Sequence, residues 1–226
     1  MIKLALLGKD IKHSRSQRVY EEMLGKPIEY KLFDIDNLED IPTLDVVFSH
    51  YQGLSITAPY KSFYINDLVL NEKVKKLGAV NCIKKLDSSY LGQNTDYQAL
   101  KSIFESRYIK YLESFSITIL GDGHMSYITR EYLDGLGVSY QLLARSKGDD
   151  LQVLGLDKKK SNLIINTCSR EFVFKGHGLD RKDVFWDYNY SMTKHSNSLP
   201  LFCDYRDGSE LLKLQAQYAL EFWGIE

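Results

Sequence analysis

The sequence predicts an α/β fold made of two α/β domains. Short apolar runs closed by turn residues alternate with segments whose apolar residues fall at helical spacing. The alternation then restarts beyond residue 115, with a strand, a glycine-containing turn and a further helix.

Ile2 to Leu7 is an apolar run closed by Gly8 and reads as a buried strand. Ser16 to Leu24 carries Val19, Tyr20, Met23 and Leu24 at helical spacing, and Gly25 followed by Pro27 stops it. Ile28 to Phe33 alternates as a half-buried strand. Asp45 to Ser49 reads as a helix end or a strand, and Gly53 to Thr57 as a short strand. Asn66 to Leu77 predicts a helix ended by Gly78. Val80 to Lys85 and Tyr90 to Gln93 flank Asp87-Ser88-Ser89 as a hairpin. This half therefore predicts a largely parallel sheet.

Tyr97 to Ser106 predicts a helix, and a domain boundary falls near residues 97 to 115. Ser116 to Leu120 is a strand, Ile128 to Leu136 a helix ended by Gly137, and Ser139 to Ala144 another strand. Leu163 to Asn166 and Val184 to Asp187 are two more short apolar runs. Glu210 to Phe222 is a final amphipathic helix.

Composition narrows the function. The chain has 226 residues, long enough for one large domain or two modest ones with their own cores. Its 29 basic and 30 acidic side chains give a net charge of -1, which offers no support for a general nucleic-acid binder. No apolar run reaches transmembrane length, and the first residues are too briefly apolar for a signal peptide. Cys82, Cys168 and Cys203 suggest neither a disulfide framework nor a zinc site, and they fit a reducing cytoplasm. The five histidines lack metal-ligand spacing, so no metal is expected.

Several segments can carry chemistry. Lys61 follows a proline bend, and Asp96 stands just before a predicted helix. Lysine is ordinarily protonated at neutral pH, and a neighbouring carboxylate favours that form. Such a pair donates a proton to a developing alkoxide, or else it is a structural ion pair. Ser14 and Ser16, between the first strand and first helix, offer hydroxyls to an anion; the same residues also suit N-capping. Gly121 and Gly123, with the small Ser126, occupy a strand-to-helix turn where a pyrophosphate can approach the backbone, or where a tight turn needs them. Arg145 and Lys147 follow the next strand, where a basic residue accommodates the extra phosphate of NADP, although Asp149 and Asp150 offset their charge.

In order along the chain, Gly8 to Gln17, Gly53 to Lys61, Gly78-Ala79-Val80-Asn81, Gly92 to Asp96, Asp187 to Tyr190, and Gln215 with Trp223 resemble the motifs of the shikimate dehydrogenase family. The resemblance implies an N-terminal substrate domain, 1–97 plus 208–226, and a Rossmann-like NADP-binding domain, 98–207, with the C-terminal helix returning to the first domain. It implies NADP-linked interconversion of 3-dehydroshikimate and shikimate, in aromatic amino acid biosynthesis. Lys61 and Asp96 are then the catalytic pair. Ser14 and Ser16, assisted by Tyr190, hold the substrate carboxylate, while Thr57, Asn81 and Gln215 bind ring oxygens. Gly121, Gly123, Ser126, Arg145, Asn166 and Thr167 line the cofactor site. The expected partner is a small molecule, with no nucleic acid and no membrane, and the chain is a monomer or homodimer.

The departures lie mainly on the cofactor side. His124 and Glu210 replace glycines, Ala144 an asparagine, and Arg170-Glu171 a Gly-Met; Ser55 replaces a substrate-side asparagine. Other readings are a quinate-type variant, or a homologue that binds a shikimate-like ligand with little redox chemistry.

Overall fold

In the computed structural model, which describes residues 1–226, the first apolar run becomes β1 (Lys3–Gly8), buried along most of its length. The chain continues into α1 (Ser16–Leu24), which ends at Gly25 with φ 62°. That left-handed conformation is the usual glycine helix stop. β2 (Glu29–Asp34) pairs parallel with one edge of β1. Asp45 to Ser49 resolves as helix: α2 (Leu44–Phe48) starts at Thr43, whose side chain accepts from the Val46 N–H. β3 (Gly53–Ile56) pairs parallel with the other edge of β1.

β4 (Cys82–Leu86) and β5 (Ser89–Gln93) form the expected hairpin, with Asp87 at φ 50° in its turn. The first sheet has the order β2-β1-β3-β4-β5. The expectation of a largely parallel sheet needs correction, because β3, β4 and β5 pair antiparallel. A tight hairpin turn can join only antiparallel neighbours. The helix expected from Asn66 is also shorter: α3 spans Glu72–Leu77. Asn71 caps it, accepting from the Val74 N–H at 2.8 Å. Upstream, Val69 donates to Tyr90 O at 2.8 Å and accepts from Gly92 N at 3.2 Å, so this stretch pairs with β5 instead of coiling.

α4 (Thr95–Ile103) carries the chain onward, and a π turn prolongs it over Phe104–Tyr108, beyond the expected end. β6 (Phe115–Leu120) leads to α5 (His124–Gly135), which begins at His124 and not Ile128 because Gly123 is already its N-cap residue. β7 (Gln141–Leu143), β8 (Ser161–Asn166) and β9 (Val184–Asp187) follow. Next come α6 (Thr193–Ser198), β10 (Asp204–Arg206) and α7 (Ser209–Trp223). The second sheet is wholly parallel, in the order β10-β9-β8-β6-β7. α6 and β10 were not expected. The α6 segment is polar, and its buried side chain is a histidine, His195.

The chain forms two compact units, Met1–Ala99 with Lys213–Glu226, and Leu100–Leu212. Ala5, Leu7, Leu54, Val47, Val74 and Ile83 help build the first core. Leu120, Ile164, Phe174, Phe185 and Leu199 help build the second. No helix is long and apolar enough to cross a membrane.

Candidate functional site

In the first unit β2 and β3 lie on opposite sides of β1, so the connections leaving β1 and β3 diverge at the carboxyl ends of these strands. Such a switch point opens a crevice for a ligand. Gly8 ends β1, and a Cβ there would lie 2.5 Å from both Ile11 Cγ2 and Thr57 Cγ2. Glycine therefore permits the close approach of the two connections.

The first connection carries Ser14 and Ser16, both half-buried. Neither caps α1: Arg15 holds the N-cap position without a side-chain cap bond. Instead Ser14 Oγ accepts from the Ser16 N–H at 3.3 Å and donates to Ser16 Oγ at 3.2 Å. The second connection carries Thr57, the cis peptide Ala58–Pro59, and Lys61. Lys61 Nζ donates to Asp96 Oδ2 at 2.7 Å, with the two side chains 16% and 14% exposed.

Asp96 lies in the first turn of α4, where the helix dipole favours negative charge. Asn94 Oδ1 accepts from the Tyr97 N–H at 2.9 Å, and its Nδ2 donates to Ala79 O at 3.0 Å. Asn81 Oδ1 accepts from the Thr95 N–H at 2.7 Å, while its Nδ2 donates to Thr95 Oγ1 at 2.9 Å. The Asn81 amide thus holds the start of the helix that presents Asp96. Gln215 stands half-buried on the part of α7 that belongs to this same unit.

Sequence reasoning missed a set of hydroxyls beside Ser16 and Ser55. Tyr20, 1% exposed, hydrogen-bonds through its hydroxyl to Ser55 Oγ at 3.2 Å. Tyr30 packs on Tyr20 with ring centroids 5.9 Å apart, and its buried hydroxyl lies beside Ser16 and Ser55 without a hydrogen bond. Burial raises both phenols, with each other's proximity adding at Tyr20, so they remain neutral donors at physiological pH. Burial, then the Asp96 charge, pushes the Cys82 thiol well up as well. The period-2 pattern of Ile28, Tyr30 and Leu32 placed Tyr30 on the apolar face of its strand; the polar handle of a buried tyrosine was the clue available.

The second unit has its own switch point, because β7 and β8 flank β6. Gly121 follows β6 at φ 95°, and a Cβ there would lie 2.9 Å from Thr167 Oγ1 and 3.2 Å from Cys168 Sγ. A Cβ at Gly123 would meet nothing within 4 Å. α5 starts just beyond without a side-chain cap, so its first N–H groups suit an anion. Ser126 is fully buried in the first turns of α5. Arg145 is exposed at the end of β7.

Asp149 and Asp150 serve the backbone, accepting from the Ala144 N–H and the Gln152 N–H at 2.8 and 2.9 Å. The carboxylate that does enter the glycine turn is Asp122, which accepts from the Ser146 hydroxyl. Asn166 and Thr167 also serve the fold. Asn166 Nδ2 donates to Asp187 Oδ1 at 3.0 Å and its Oδ1 accepts from the Cys168 N–H at 3.1 Å; the Thr167 hydroxyl donates to Leu120 O at 2.7 Å. Asp187 in turn meets His195 Nδ1 at 2.5 Å, and His195 Nε2 accepts from the Phe174 N–H at 2.8 Å. That acceptor role fixes the proton on Nδ1. Tyr190 lies in this unit, its ring under the Arg170 guanidinium at 4.4 Å. Glu210 pairs with Arg107 at 2.7 Å, which neutralises the charge that replaces the expected glycine. No group of three or more His, Cys, Asp or Glu side chains is arranged to hold a metal ion.

Residues 6–83, which contain the serines, Thr57, Lys61 and Asn81, match the shikimate dehydrogenase substrate binding domain. The chain is similar to the shikimate dehydrogenase family. Among curated members, it is 25% identical over 240 residues to the shikimate dehydrogenase (NADP(+)) of Saccharolobus solfataricus, covering 96% of this chain and 87% of that one. It is 31% identical over 159 residues to the pentafunctional AROM polypeptide of Pneumocystis carinii, covering 64% of this chain and 10% of that one. The match spans 56% of the Clostridium beijerinckii shikimate dehydrogenase, so several curated family members extend well beyond the region they share with it. The crystal structure of the Aquifex aeolicus shikimate dehydrogenase shares the fold, with a TM-score of 0.75 at 23% identity over 98% of this chain and 92% of that one.

Proposed function

We propose that this chain interconverts 3-dehydroshikimate and shikimate with NADP as cofactor, as a cytoplasmic monomer or homodimer in aromatic amino acid biosynthesis. The observation that carries the reading is the 2.7 Å Lys61–Asp96 pair, largely withdrawn from water, with Lys61, Ser14 and Ser16 inside the matched substrate-binding domain. The names of the relatives agree with it, including the NADP(+) enzyme of Saccharolobus solfataricus. Three free cysteines suit a reducing compartment.

In this reading Ser14 and Ser16 bind the substrate carboxylate, with Tyr190 assisting. Thr57, Asn81 and Gln215 face ring oxygens. Lys61 delivers a proton to the carbonyl oxygen as negative charge develops there, and Asp96 orients Lys61 and accepts from a ring hydroxyl. The residues of the second unit fit the cofactor: Gly123 leaves open space, the uncapped start of α5 suits the pyrophosphate, and Arg145 suits a 2′-phosphate. Gly121 keeps the turn tight, and Ser126 keeps the start of α5 slim. Asn166 and Thr167 shape the floor through the backbone. When bound, NADPH supplies the hydride. The chain's own contribution is alignment and proton delivery.

One observation favours a second reading. The Asp122 carboxylate in the glycine turn opposes an anionic cofactor, which suits a homologue that binds a shikimate-like ligand with little redox chemistry. Separate calorimetric titrations with NADPH and shikimate, followed by an assay of 3-dehydroshikimate reduction, decide between them. Binding of both with turnover is expected. Shikimate binding without NADPH binding or turnover rejects the dehydrogenase.

A further inference from the structure

Two loops of the second unit meet at its glycine turn. Asp122 stands in that turn, between β6 and α5, and Ser146 follows Arg145 beyond the end of β7. The Ser146 hydroxyl donates to Asp122 Oδ2. A hydroxyl has one proton to donate, so Ser146 has none left for an anion. Cys168, whose thiol borders the turn, senses both neighbouring charges: burial raises it most, Arg145 lowers it, and Asp187 and Asp122 raise it further. Arg145 and Asp122 therefore flank the same turn with opposite charge. In a dinucleotide site the glycine turn receives the pyrophosphate and the end of the next strand receives the adenosine ribose; an acid there takes the 2′-hydroxyl of NAD, and a base takes the 2′-phosphate of NADP. This chain places both. Asp149, on the loop after β7, already accepts from the Ala144 N–H at 2.8 Å, which leaves Asp122 to meet the ribose.

We infer that Asp122 is a specificity residue of the cofactor site, whose carboxylate lowers the preference for NADP over NAD so that both nucleotides bind. The 2′-phosphate gains Arg145 but meets the Asp122 charge, and it finds the Ser146 proton committed. The 2′-hydroxyl of NAD instead donates to Asp122, which keeps spare lone pairs after accepting from Ser146. The effect falls on the ribose end of the cofactor because Asp122 turns towards Ser146, whereas the pyrophosphate suits the N–H groups at the start of α5. The inference rests on the dehydrogenase reading and adds to it the residue that sets the choice of nucleotide.

Asp122→Asn tests it, since the amide keeps the shape and removes the charge at an exposed position. Fluorescence titration gives Kd for NADPH and NADH, without substrate or turnover. In the unmodified protein the two values lie within about tenfold of each other. In Asp122→Asn the NADPH Kd falls about tenfold, the scale of a carboxylate acting on a doubly charged phosphate near a protein surface. The NADH Kd stays the same or rises. Calorimetry with adenosine 2′,5′-bisphosphate and with AMP, which differ only in the 2′-phosphate, shows the same change for the bisphosphate alone. Equal tightening of NADPH and NADH overturns the inference, because it marks a charge acting on the pyrophosphate. An unmoved ratio overturns it too, as does a preference of the unmodified protein for NADPH above about a hundredfold. NADPH binding by Asp122→Asn but not by the unmodified protein supports the inference while rejecting the dehydrogenase. Failure of both proteins to bind either nucleotide overturns both.

Discussion

Lys61 and Asp96 stand 2.7 Å apart and largely shielded from water, and each depends on the other. A pair in that position gains its attraction only while both charges are present and hydrogen-bonded. Lys61→Ala should lower kcat by about 10²–10⁴, the range for loss of a positioned proton donor, while leaving the NADPH Kd unchanged. Single-turnover kinetics with a parallel cofactor titration check this, and an unchanged kcat rejects the assigned role. Residue identity was a good guide here, since a lysine after a proline bend and an aspartate at a helix start are legible in one dimension. It was a poorer guide at Asn166 and Thr167. Both stand at a suitable strand end, yet Leu120 O, the Cys168 N–H and Asp187 occupy their side chains. Hydrogen-bond competition of this kind depends on neighbours distant in sequence. Glu210 makes the same point in the other direction, because Arg107 absorbs its charge.

At the scale of elements, β3 and α7 meet at one glycine. A Cβ on Gly53 would lie 2.5 Å from two carbons of the Trp223 indole, whose Nε1 donates to Ile83 O at 2.9 Å. Trp223 also packs on Tyr20, with ring centroids 5.7 Å apart, so the seat of α7 adjoins the hydroxyl cluster. Gly53→Ala should destabilise the protein by about 1–3 kcal/mol through overpacking. Urea denaturation measures this, and a red shift of tryptophan emission should accompany it; an unmoved midpoint would show that α7 shifts without cost. Elements with strong apolar periodicity, such as α1 and β8, were legible. α6 was not, because its buried anchor is His195, held by Asp187 and the Phe174 N–H. The start of α3 was misplaced because Val69 joins β5, a tertiary pairing that outweighs local helix propensity.

At the scale of the molecule, alkaline conditions expose a shared weakness. Burial raises Cys168 and Cys203 to about 11, against about 8.5 for an unfolded thiol. A group whose folded pKa is raised holds its proton more tightly in the folded state. Its effect on stability is absent below the unfolded value and becomes increasingly unfavourable as pH rises towards the folded one. Buried Cys82 acts in the same direction from the same pH, and Tyr20 and Tyr30 join above about pH 10, the unfolded phenol value. The urea midpoint should therefore fall steadily between pH 9 and about 11. Denaturation curves at pH 8, 9, 10 and 11 test this, and a constant midpoint would contradict it.

The sequence by itself determined the α/β class, most of the strands, the Lys61–Asp96 pair and the glycine turn, because periodicity and turn chemistry are local properties. Tertiary structure decided which strands pair antiparallel, which candidate side chains are already occupied by the fold, and which hydroxyls gather beside Ser16 and Ser55. Those outcomes depend on contacts between residues far apart in the chain: Tyr20 with Ser55, Tyr30 beside Ser16, and Asn166 with Asp187.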